Sequence, residues 1–135
     1  MPHPQRKYNT LALLLFVLCL VCCQSSNDCR YDQCLARYKD AMVREDYASA
    51  VLNARGMVEA RTPRGEADFL YRFSLLMLGS ALKASGEYIE AKETLEKLLL
   101  IYDRHKINSD DYMHSRAKEL LQVVNKKGLN GDRQR

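Results

Sequence analysis

Five thiols crowd into the first 34 residues, at Cys19, Cys22, Cys23, Cys29 and Cys34, and none follows them. A thiol can carry an acyl chain, pair as a disulfide or ligate a metal, so chemistry is sought here first. A metal site is poorly served, because Cys29 and Cys34 form C-x4-C with no second ligand pair nearby. The three histidines do not converge: His3 precedes an apolar run, His105 falls in a loop, and His114 is placed on the polar side of the last helix beside Lys118. The chain has no glycine-rich phosphate loop, no H-E-x-x-H and no G-x-S-x-G. No catalytic residue, metal ion or cofactor is expected, and the chain is not read as an enzyme.

The run Leu11 to Cys23 is 13 apolar residues preceded by Arg6 and Lys7. Basic residues followed by such a run make a leader profile. As a helix the run would rise only about 20 Å, against a hydrocarbon core of roughly 30 Å. Polar Asn9 and Thr10 before it and Gln24 to Asp28 after it prevent a longer span. The segment Leu20-Val21-Cys22-Cys23-Gln24-Ser25-Ser26 resembles a bacterial lipoprotein signal, in which an apolar residue and then a small one precede the acylated cysteine. The resemblance implies residues 1–22 as signal peptide, lipidation at Cys23 and attachment to a lipid bilayer through the acyl anchor. Cys22 departs from the Gly, Ala or Ser usual there, and Gln24 is compatible with outer-membrane sorting. Ordinary signal-peptidase cleavage near Gln24 to Ser26, giving a secreted protein, and an uncleaved anchor are the alternatives.

Removal of residues 1–22 leaves Cys23 for acylation and an even remainder, Cys29 and Cys34. That pair is read as a disulfide or as two free thiols. Positions five apart lie about 140° apart around a helix, so a bridge requires Cys29 to precede the first helix.

The charge balance excludes one partner class. Net charge is +4, from 21 basic and 17 acidic residues, and losing Arg6 and Lys7 leaves 19 against 17, or +2. A nucleic-acid binder would gather its basic residues on one face, and no such stripe is present.

The elements that position these residues read as helices: Asp32 to Arg44, Tyr47 to Ala60, Glu66 to Ser85, Tyr88 to Arg104 and Asp111 to Lys127. In the fourth, Tyr88, Ala91, Leu95, Leu98, Leu99 and Tyr102 form one apolar stripe at steps of three and four. The third carries Phe69, Leu70, Phe73, Leu75 to Leu78, Ala81 and Leu82, too many for one stripe, so it is expected to be covered on both sides.

Leu78-Gly79, Gly86-Glu87-Tyr88, Ala91, Leu95 and Leu98 resemble one tetratricopeptide repeat, a helix-turn-helix unit of about 34 residues. Tyr47 and Ala50 repeat Tyr88 and Ala91 less faithfully, 41 residues earlier, and Thr62-Pro63-Arg64-Gly65 absorbs an insertion of about seven residues. The resemblance implies an all-α fold of two tetratricopeptide-like units plus a C-terminal capping helix, over residues 31–127. Residues 23–30 would be a linker and 128–135 a disordered tail. Two units and a cap are fewer than the three repeats usually needed, so the cap suffices or the protein docks or forms a homodimer.

Groove positions carried over from such repeats fall on Leu35, Lys39 and Met42 in the first unit and on Phe73, Leu76, Ser80 and Lys83 in the second. This groove, more apolar than charged, suits an amphipathic helix or an extended apolar segment of another envelope or membrane protein. The expectation is a membrane-anchored envelope lipoprotein acting as an adaptor. A pilotin escorting a secretin or pilus component is one alternative, and a non-lipidated secreted regulator of a cell-wall enzyme is another.

Overall fold

A computed structural model describes residues 27–28 and 30–131, and every regular element among them is helical. Helix α1 spans 30–43, α2 Tyr47–Arg61, α3 Phe69–Ser85, α4 Tyr88–His105 and α5 Tyr112–Gly131, with a 3₁₀ turn at Thr62–Arg64 after α2. Two boundaries differ from expectation. Residues 27, 28 and 30 are already helical where a linker was expected, and α5 continues past Lys127 to Gly131 where a tail was expected.

Local chemistry sets the starts. The Asp46 carboxylate accepts the Ser49 N–H at 3.1 Å ahead of α2, and the Asp68 carboxylate accepts the Tyr71 N–H at 3.0 Å ahead of α3. Asp68 explains why α3 begins at Phe69 rather than at Glu66. Asp111 does the same for α5, accepting the Met113 N–H at 3.2 Å.

Three helices end in one way. After α1, Asp46 N–H donates to the Ala41 carbonyl at 2.9 Å and Glu45 N–H to Met42 at 3.2 Å, around Glu45 at φ 57°. After α3 the corresponding bonds run from Glu87 to Leu82 and from Gly86 to Lys83, around Gly86 at φ 87°. After α4 they run from Ile107 to Tyr102 and from Lys106 to Asp103, around Lys106 at φ 49°. Each closure satisfies two orphan carbonyls through one left-handed residue. Only the second uses glycine, which adopts that conformation without a Cβ penalty.

Helix α3 is the hub and packs against α2, α4 and α5. That accounts for its surplus of apolar residues, since Leu75, Leu76, Leu78, Ala81 and Leu82 are all buried. The crossing of α3 with α4 is close. A Cβ built on Gly79 would lie 2.7 Å from Leu95 Cδ2, and both Leu95 and Ala91 are 0% exposed. A larger side chain at either small position would be forced into packed atoms.

Two buried arginines join the helices. Arg61, at the end of α2, donates to Asp28 at 2.6 Å and to Asp68 at 3.1 Å while lying 5.3 Å over the Tyr31 ring. It therefore pins the starts of α1 and α3 to the end of α2. Arg72 of α3 lies under α4 and α5, as set out below. Among the described residues no helix is long and apolar enough to cross a membrane.

Candidate functional site

Of the seven groove positions, Lys39 is exposed, and Leu35, Met42, Phe73, Ser80 and Lys83 are half-buried. Leu76 must be corrected. It is only 1% exposed and belongs to the core, on the face of α3 turned to its neighbours, while Phe73 and Ser80 lie on the half-open side of the same helix. Leu35, Met42 and Phe73 pack against the same core, so the groove wall is shallow there. Ser80 is turned toward Tyr38 of α1.

The cysteine expectations fall partly outside the structure. Cys23 and Cys29 lie outside the described residues. Cys34, on α1, is paired with no described cysteine and is half-buried, with its Sγ against Gly56 of α2.

What the repeat register misses lies at the start of α3. Phe69 and Phe73, one turn apart, stack with ring centroids 6.5 Å apart and planes 9° from parallel, and Phe69 is 55% exposed. Beneath them Arg72 is 7% exposed, its guanidinium 6.0 Å from the Phe69 centroid and 5.1 Å from that of Tyr102. The guanidinium thus lies between one exposed ring and one buried ring, an arrangement favoured by the negative faces of both. Asp111 supplies the countercharge, its Oδ2 3.7 Å from Arg72 Nη1. That is an ion-pair distance too long for a hydrogen bond.

Asp111 is engaged more tightly from the other side. The Tyr102 hydroxyl donates to Asp111 Oδ2 at 2.6 Å, and this bond holds the Asp111 carboxyl below the usual carboxylate range. Burial, and then the same bond, pushes the Tyr102 phenol up to about 12. His114 completes the cluster and corrects another expectation. It is 7% exposed rather than solvated, its ring centroid 5.0 Å from that of Tyr102 and its Nδ1 2.9 Å from the Ser109 carbonyl. The α4–α5 connection brings Ser109 back over the ring, which places His114 on the buried side of α5 with Ala117 and Leu121.

The arrangement is a brace between helices. Arg72, Tyr102, Asp111 and His114 tie α3, α4 and α5 together, and on top of the brace the Phe69 ring is presented to solvent. An aromatic side chain held in one orientation loses little further entropy on contact, and such rings anchor binding surfaces. Sequence carried one signal for it: Phe69 and Phe73 at an i, i+4 spacing on the most apolar helix, with Arg72 enclosed in the same run. Among the described residues no group of three His, Cys, Asp or Glu side chains is placed to hold a metal ion.

Compared with protein-family models, with curated proteins and with solved structures, the chain gives no match.

Proposed function

We propose that this chain is a non-catalytic adaptor of a bacterial cell envelope, tethered to the bilayer through an acylated Cys23, with two tetratricopeptide-like units and a capping helix that hold another envelope protein. Several contacts support the repeat arrangement. Helices α1 and α2 form one pair and α3 and α4 the next; α1 meets α3 at Tyr38 and Ser80, and α3 meets α5. Gly79 and Ala91 occupy the close crossing where such units require small residues.

The observation that carries the binding reading is the Phe69–Phe73 stack, whose outer ring is 55% exposed although its helix is the most enclosed of the fold. The partner that fits it is an amphipathic helix or an extended apolar segment. Affinity capture from the native envelope, comparing the natural chain with Phe69→Glu, tests the face. Loss of the captured protein with an unchanged melting temperature supports it; undiminished capture removes it. The intact mass of protein purified from membranes tests the tether. A mass of residues 23–135 plus acyl chains supports it, whereas an unacylated mass starting near Gln24 to Asn27 makes the chain a secreted regulator instead.

A further inference from the structure

A cleft of about 420 Å3 opens between α1 and α2, and no residue of α3, α4 or α5 lines it. Arg30 and Arg37, seven residues and about 10 Å apart along α1, line it from one side, and Arg55 of α2 lines it from the other. Cys34 and Gly56 meet between them, where a Cβ on residue 56 would come within 2.7 Å of the thiol sulfur. We propose that this cleft binds a phosphate monoester, free or as a lipid headgroup.

Three arginines line the cleft from three positions, and a phosphate monoester offers three acceptor oxygens and about −1.5 to −2 charge. A carboxylate, planar and singly charged, is satisfied by one guanidinium fork and leaves the others unused. Arg37 makes no ion pair or hydrogen bond with any described residue. Arg30 pairs with Glu59, which also lines the cleft, at 2.8 Å, and Arg55 pairs with Glu90 at 2.7 Å. In both pairs the side chains are between 43% and 63% exposed. Ion pairs that exposed are weak and exchange readily for a more highly charged anion. The inference does not rest on the adaptor reading, since neither Cys23 nor Phe69 enters it.

Cys34 serves as the reporter. Cleavage after Arg30 and Arg37 releases residues 31–37, a peptide holding one cysteine, and in Arg37→Gln the peptide extends to Lys39 and still holds one. The full chain in detergent is alkylated with uncharged N-ethylmaleimide, and the rate at Cys34 is read from that peptide by mass spectrometry. The probes are glycerol phosphate, sodium glutamate at equal ionic strength, and vesicles of phosphatidylcholine with and without phosphatidic acid. Saturable slowing by glycerol phosphate, requiring about tenfold more ligand in Arg37→Gln, supports the site with a free ligand. Slowing by phosphatidic acid vesicles alone, weakened in Arg37→Gln, supports it with a lipid ligand. Slowing by neither, slowing equalled by glutamate, or slowing unchanged in Arg37→Gln overturns it. Arg37 is exposed and makes no ion pair with a described residue, so the variant retains the fold, which its far-UV spectrum checks.

Discussion

Adding one methyl group at Gly79 measures how tightly α3 crosses α4. The new Cβ would sit 2.7 Å from Leu95 Cδ2 and 2.8 Å from Leu95 Cγ, inside van der Waals contact, and Leu95 is 0% exposed, so its side chain must shift within the core. Overpacking of this kind costs about 1–3 kcal/mol. Against it stands the gain from replacing a mid-helix glycine by alanine, about 1 kcal/mol. The net expectation for Gly79→Ala is a loss of about 1 kcal/mol, which lowers the melting temperature by about 4–8 °C in a domain of this size. Leu95→Ala alone removes a buried side chain and costs about 2–5 kcal/mol. In that background the clash is gone, so the same Gly79→Ala change should stabilise by about 1 kcal/mol. The difference is a coupling of about 1–3 kcal/mol between the two sites. Urea unfolding of the natural chain, both single variants and the double variant, followed at 222 nm, gives all four free energies. Additivity of the two substitutions to within about 0.5 kcal/mol would refute the close crossing.

Left-handed closures make an opposed pair: Glu45→Gly should stabilise by about 0.5–1 kcal/mol, and Gly86→Ala should destabilise by about 1 kcal/mol, both read from urea midpoints. Ala91 is 0% exposed, so Ala91→Arg buries an unpaired charge in the crossing and should abolish cooperative unfolding at room temperature; an unchanged melting temperature would refute its placement. Tyr102→Phe removes the 2.6 Å bond to Asp111 and should cost about 1.5–3 kcal/mol at neutral pH, measured by urea unfolding. The same bond shapes the pH profile. The lowered Asp111 carboxyl contributes stability that is present above the ordinary value of 3.8 and is lost as pH falls through its folded pKa. The raised Tyr102 phenol contributes stability that is complete below 10.0 and is lost as pH climbs toward about 12. Tyr102→Phe should therefore flatten both flanks of the plot of urea midpoint against pH, and retention of both slopes would exclude the pair as their source.

Helices whose pattern is local were legible without coordinates. In α4, Ala91, Leu95, Leu98 and Tyr102 recur at the helical period, and the stripe they form is the stripe that is buried. The left-handed turn at Gly86 was legible because glycine suits that conformation; the matching turn at Glu45 was not, because nothing about a glutamate announces φ 57°. Arg61 and Arg72 carried no local warning, since an arginine is ordinarily a surface residue. Their burial depends on carboxylates from Asp28, Asp68 and Asp111, up to 39 residues away in the chain. His114 was misplaced for a related reason: its burial depends on the α4–α5 connection folding Ser109 across it.

The groove shows the same division. Repeat register placed Phe73 and Leu76 side by side as candidates, yet the neighbours of α3 enclose one at 1% exposure and leave the other half-buried beside the exposed Phe69. The helical elements, the glycine closure after α3 and the apolar stripe of α4 were determined by the sequence itself, because each depends on side chains within a few positions of one another. Which apolar residues stay open to a partner, which charges are buried, and how Arg30, Arg37 and Arg55 come to share one cleft were decided only by the tertiary structure. Exposure and long-range electrostatics belong to pairs of helices, and a single chain segment does not encode its neighbour.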